Sequence, residues 1–150
     1  RKGSGPTHLR MGLANGNGNA RIDAWLSRWA ETKARHAAAG WGALLGAWRC
    51  EAQGEEEDAR RCRERAIEFW AKAGEEEDPI TTAGFPADQL LLADTLRRLG
   101  RFEEARGCCH RGLSGRPGEP IRSLLEFEGE LITSGDTEPH PVSEVLSRGM

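Results

Sequence analysis

The sequence predicts an all-α protein built from antiparallel helical hairpins. Three observations carry that expectation. Apolar residues recur at helical spacing in one segment after another, as along Ile22, Trp25, Leu26 and Trp29. No alternating β-branched run exceeds a few residues. Helical segments close on glycine, in "CEAQG", "LRRLG" and "LITSG", at Gly54, Gly100 and Gly135.

The 150 residues suit one domain with its own core. Apolar residues make up 37% and charged residues 30%, polar for a globular domain but too rich in Leu, Ala and Trp for a disordered one. A net charge of −3 gives no overall attraction to nucleic acid or to an acidic membrane. No apolar run is long enough to span a bilayer, and no signal peptide opens the chain. The opening "RKGSGPTHLR" reads as either appended sequence or the trimmed end of a longer protein, and stays outside the fold assignment. The cysteines at 50, 62, 108 and 109 form no CxxC and no dense disulfide framework. A reducing, cytoplasmic setting is the expectation.

Residues 1–18 are Gly/Asn-rich at their end and are expected to be a flexible lead-in, with a single helical domain over 19–150. Asn19 is placed to cap a first helix that ends near Gly40. A second helix is expected over Trp41 to Gln53, with Leu44, Leu45, Trp48 and Cys50 apolar. The acids at Glu55 to Asp58 face the positive end of a third helix, whose buried side is Ala59, Cys62, Ala66, Phe69, Trp70 and Ala73 and whose stop is Gly74. An acidic loop follows over 74–85. Pro86 suits the first turn of a fourth helix, which runs through Leu90, Leu91, Leu92, Leu96 and Leu99 to Gly100. A fifth is expected from Phe102 to Leu113, a sixth from Pro120 to Thr133, and a short last one in "VSEVL". That makes about six or seven helices.

The glycine stops are themselves spaced: Gly54 to Gly100 is 46 residues, Gly100 to Gly135 is 35. A period of about 34 residues marks the tetratricopeptide helix–turn–helix, and the acidic loop accommodates the longer first interval. Residues 86–119 resemble one tetratricopeptide repeat. Leu92, Ala93, Leu96, Gly100, Phe102, Ala105 and Pro117 match its apolar, small, turn and terminal-proline positions. Cys109 and Gly112 stand where an aromatic and Ala are usual. Residues 40–73 match through Ala47, Cys50, Gly54, Ala59 and Ala66, with Gly46 in place of Leu. Residues 120–148 keep a first helix and lose most of a second. The order "AWRCEAQGEEEDARRCRERAIEFW", acidic linker, "FPADQLLLADTLRRLGRFEEA" is also similar to a family of uncharacterised bacterial proteins. In that family a cysteine-rich, metal-binding type of N-terminal part precedes tetratricopeptide-like helices. The CxxC part has no counterpart here, so the resemblance implies only the helical half.

Chemistry-bearing motifs are sparse. Cys108, Cys109 and His110 point three ways around a helix and cannot share one ion, whereas a zinc site needs about four ligands. Cys50 and Cys62 can approach each other across a hairpin, but no second ligand pair accompanies them. Histidines 8, 36, 110 and 140 stand in no triad context. "GNGN" lacks the Lys and Ser/Thr of a phosphate loop, and "EFEGE" at 126–130 reads as a charged, solvated face. No catalytic residue, metal ligand or cofactor is expected.

The resemblance directs attention to the concave face lined by the first helix of each pair. Trp41, Leu44 and Trp48 from one repeat, and Asp94, Arg97 and Arg98 from the next, are the candidate partner-binding residues: an apolar floor with an exposed arginine rim. The competing assignment makes the Trp and Leu residues core, covered by the helix before them. The Lys and Asn positions of the chaperone-binding tetratricopeptide clamp are unfilled. The expected function is a cytoplasmic protein-interaction module, not an enzyme, with an unknown protein or peptide partner and neither nucleic acid nor membrane. The alternative is a regulatory domain of a larger nucleic-acid-linked or metal-binding protein, with Arg60, Arg61, Arg63 and Arg65 tracking phosphates.

Overall fold

A computed structural model describes residues 36–148. The expected lead-in at 1–18 and the body of the helix expected from Asn19 lie outside the described residues. Among the described residues there are six helices and no strand. The chain falls into two compact units, divided between Ile80 and Thr81.

In the first unit, α1 (His36–Ala52) and α2 (Glu56–Glu75) form a hairpin. Its inner surface is made of small side chains: Ala39, Ala43, Ala47 and Cys50 from α1, and Ala59, Ala66 and Ala73 from α2. Phe69 and Trp70 supply the bulk. Three acids, Glu56, Glu57 and Asp58, occupy the first turn of α2, where the unpaired backbone N–H groups favour negative charge.

Gly40 was expected to end a helix, yet α1 runs straight through it. The reason lies on the other helix. A Cβ at Gly40 would collide with the Trp70 indole, whose Nε1 donates to the Ala37 carbonyl at 3.2 Å. Trp41 stands edge-on to the same ring, centroids 5.9 Å apart, and its own Nε1 donates to the Ile80 carbonyl at 2.7 Å. Gly40 is therefore a seat for an aromatic ring, not a helix stop.

In the second unit, α3 (Phe85–Arg98) and α4 (Phe102–Ser114) make another hairpin. Against it packs α5 (Ile121–Thr133), and on α5 lies the short α6 (Val142–Arg148). Pro86 sits in the first turn of α3, as its fixed φ and missing N–H favour. Ala93, Leu96, Leu99, Ala105 and Leu125 are buried in the second unit. Phe127, Leu131 and Val145 form an apolar cluster of α5 and α6.

The stops at Gly54, Gly100 and Gly135 are built alike. At Gly100, φ is +78°, its N–H bonds the Arg97 carbonyl at 2.9 Å, and the Arg101 N–H reaches back to the Leu96 carbonyl at 2.9 Å. This pair of bonds satisfies carbonyls that a helix end leaves open, and it requires a left-handed residue. The same pair occurs around Gly54 and around Gly135. Helix α2 ends with it too, but the left-handed residue there is Glu77, at φ +57°, three residues beyond the expected stop at Gly74.

Gly40→Ala and Gly100→Ala separate the two uses of glycine. An added methyl at Gly100 meets open space, so the loss there is backbone strain of about 1 kcal/mol. At Gly40 the methyl displaces the Trp70 ring, costing about 3 kcal/mol against roughly 1 kcal/mol gained from alanine's helix preference. Urea unfolding followed by tryptophan fluorescence and circular dichroism should place Gly40→Ala as the less stable variant. The reverse order would show that the indole yields without loss.

Candidate functional site

Trp41, Leu44 and Trp48 follow one another along α1, but the hairpin treats them differently. Leu44 is 2% exposed and belongs to the core. Trp41 is half-buried, with its indole N–H already spent on Ile80. Trp48 lies on the uncovered side and is 46% exposed.

Asp94, Arg97 and Arg98 are brought together in the second unit, though not as a rim. Arg97, expected to be exposed, is 1% exposed. Its Nε donates to Glu128 Oε1 at 2.8 Å, Nη2 to Asp94 Oδ1 at 2.9 Å, and Nη1 to the carbonyls of Asp136 and Glu138 at 2.8 and 2.9 Å. Arg98 Nε donates to the Thr137 carbonyl at 2.7 Å. Two successive arginines of α3 thus hold the segment that leaves α5. The planar guanidinium, with donors fixed in a fork, suits this many-partner role.

Glu128 completes the arrangement from α5, and the solvated-face assignment of "EFEGE" is corrected at this residue. Glu126 and Glu130 are exposed, while Glu128 is buried. The sequence did hold a signal: Glu128 falls on the apolar stripe with Leu124, Leu125, Leu131 and Ile132. A charge on such a stripe needs a buried partner. Burial, and after it the neighbouring Asp94 carboxylate, push the Glu128 carboxyl well above the usual range, with Arg97 acting the other way.

The same segment continues to His140, whose Nε2 meets Asp136 Oδ2 at 2.8 Å and Nδ1 meets Glu144 Oε1 at 3.1 Å. Its ring stands edge-on to Phe127, centroids 5.7 Å apart. Glu144 and Asp136 hold the His140 imidazole above its usual range, against slight desolvation. The bond from the Glu138 N–H, and then His140, lower the Asp136 carboxyl.

The "GCCH" cysteines are packed inside. Cys108 is 3% and Cys109 5% exposed. Burial pushes the Cys109 thiol up to about 12; it also raises Cys108, opposed by the Arg111 guanidinium 3.4 Å from its sulfur. Such thiols are poor nucleophiles. Among the described residues, no three His, Cys, Asp or Glu side chains stand together as a metal site would need. The basic segment of α2 is engaged within the protein. Arg61 bonds Asp58 at 2.6 Å, Arg63 is buried against Glu51 at 3.2 Å, and Arg65 lies 5.0 Å over the Phe69 ring. Among the described residues no helix is long and apolar enough to cross a membrane. Neither family models, nor curated proteins, nor solved structures gave a match to this chain.

Replacing Arg97 by Met leaves Glu128 buried without its cation and should cost about 3–5 kcal/mol at pH 8. A carboxyl raised in the folded state contributes stability below its ordinary value of 4.5 and loses it as pH rises. The penalty should therefore shrink at pH 5, well below the raised Glu128 value of about 8, where the carboxyl holds its proton with or without Arg97. Urea midpoints at both values check this; a loss below about 0.5 kcal/mol at pH 8 would match a surface arginine instead. For His140, raised above 6.5, the docking of α6 should be firm below pH 6.5 and weaken as pH rises through the folded value. Amide exchange in α6 across pH 5.5–8.5 should show it, and His140→Gln should flatten the dependence.

Proposed function

We propose that the chain is a protein-interaction module of tetratricopeptide-like helical hairpins, acting in the cytoplasm by binding and not by catalysis. The observation that carries this reading is Trp48. It exposes 46% of its surface on a helix whose other side is closed by tightly packed small residues. An indole left in water on a rigid helix is the kind of anchor around which binding energy concentrates.

The finer, repeat-like assignment draws support from the matched turns at Gly54 and Gly100. Gly112, where the repeat usually has Ala, packs so closely that a Cβ would lie 2.9 Å from Leu125 Cδ1 and 3.1 Å from Gln89 Cβ. Side chains of α5 and α3 thus lie directly against the bare backbone of α4 at this glycine. The expected partner chemistry changes. Arg97 and Arg98 are committed to carbonyls of the segment after α5, so a partner with apolar side chains is favoured over one that needs acidic groups. Trp41 and Asp94 remain accessible in part, while Leu44 is buried.

Panning a random peptide library against the immobilised chain tests the reading. Enriched peptides should carry apolar residues, shift Trp48 fluorescence to shorter wavelength and bind Trp48→Ser at least about tenfold more weakly. The half-exposed ring contributes little to the core, so melting should change by only a few degrees. Peptides that bind the variant equally well would remove Trp48 from the proposal.

A further inference from the structure

Helix α6 is lightly held. Among its described side chains Val145 is buried, while Val142, Ser143, Glu144 and Ser147 are exposed. Val145 seats on Phe127 and Leu131 of α5, with Leu124 packed beside them. The chain that leads to α6 is held differently along its length. Arg97 and Arg98 clamp it through the carbonyls of Asp136, Thr137 and Glu138. Beyond that clamp come Pro139, His140 and Pro141, and here the tie is His140. One ring nitrogen meets Asp136 before the bend, and the other meets Glu144 after it. A neutral imidazole has one N–H to give, and a carboxylate has none. Two carboxylates on one ring therefore call for the imidazolium, so the closed bend binds a proton.

We propose that α6 is an exchangeable latch. The His140 imidazolium keeps it on its own α5, and when that proton leaves, α6 docks instead on α5 of a second copy of this chain. A neutral ring can donate to one carboxylate only. Asp136 has further partners in the Glu138 N–H at 2.7 Å and Arg97 at 3.9 Å, so the bond to Glu144 is the one that opens the bend. From α5 the ring faces Phe127 edge-on. From α3, Arg97 stands behind Asp136, its charge met by Asp94 and Glu128. Glu144 and Asp136 hold the His140 imidazole above 6.5, so the tie is complete below that pH and is lost as pH rises through the raised value. Once it is lost, the two prolines act. A residue before proline prefers extended backbone, so Glu138 and His140 favour a straight connection that carries α6 away from its own α5. At low concentration the freed helix stays open. At high concentration a neighbour offers the same Phe127, Leu131 and Leu124 surface, and exchange repeats contacts that the single chain already makes. Each copy gives one α6 and receives one, so the pair closes on itself.

Sedimentation velocity of the whole chain at high micromolar concentration tests this. The expected mass is that of one chain at pH 5.5 and of two chains at pH 8.5, reversed on reacidification. The mass of one chain at both values would overturn the proposal. Glu128, also raised, is separated from His140 by the variant His140→Gln. Its amide carries no charge to hold both carboxylates, so it should pair already at pH 5.5; single chains there would remove His140 from the switch. A synthetic peptide of residues 139–148 should compete for α5 and return the wild-type pair at pH 8.5 to single chains. Trp48→Ser should leave the pair intact. A pair that persists in excess peptide, or that is lost in Trp48→Ser, joins through another surface and overturns the exchange.

Discussion

A helix that must turn back on its neighbour within a few residues has to satisfy its last carbonyls while changing direction. Among the described residues that constraint is met in one way at four helix ends, while α4 ends on a left-handed Arg116 whose successor, Pro117, has no N–H to give. Around Gly54, Glu77, Gly100 and Gly135, the left-handed residue and its successor donate back to the final turn. Gly54 and Gly100 each leave only a short link before the next helix, so the partners must run antiparallel and side by side. The inner faces then follow. Short reversals bring helices close, and close helices need Ala, Cys or Gly between them. At Glu77 the same bonds are made by a residue with a Cβ, and the chain enters a longer connection there.

The buried Arg97 is a second kind of organiser. Desolvating a guanidinium is costly, and ion pairs inside a protein seldom return more than they cost. What Arg97 supplies is position. Its donors meet a carboxylate on its own helix, a carboxylate on α5 and two carbonyls beyond α5. Apolar packing alone would let the segment after α5 slide over α3; donors fixed in a fork do not. His140 extends that order to α6 through Asp136 and Glu144. Helix α6 thus joins the unit through the Phe127–Leu131–Val145 cluster and a chain of polar contacts that begins at Arg97.

Much of the polar chemistry that attracts notice in this chain is consumed by folding. Arg61, Arg63 and Arg65 are spent on neighbours within their unit, Cys108 and Cys109 are buried, and Arg98 is tied to a carbonyl. Beside its exposed charged residues the fold leaves three large apolar side chains toward solvent: Trp48, Phe85 and Val142. Their exposure moves the functional reading from charge recognition toward apolar contact.

The sequence by itself determined the helices and most of their ends. Apolar spacing of 3.6 residues, Pro86 in a first turn and Gly54, Gly100 and Gly135 after last turns are local physics, and local physics is written in neighbouring residues. Tertiary structure alone decided which side of each helix was covered. Gly40 looked like a stop because nothing in its neighbours announces Trp70, thirty residues away, whose ring needs a bare backbone. Arg97 looked exposed because a helix carries no sign of what lies beyond it. Its burial depends on Glu128, placed by another helix, and on carbonyls of a segment with no regular structure. Glu128 alone hinted at this, as a charge on an apolar stripe. Candidate-site residues on one helix share a local pattern, but their exposure is a property of what packs against them, and only the folded chain brings those partners together.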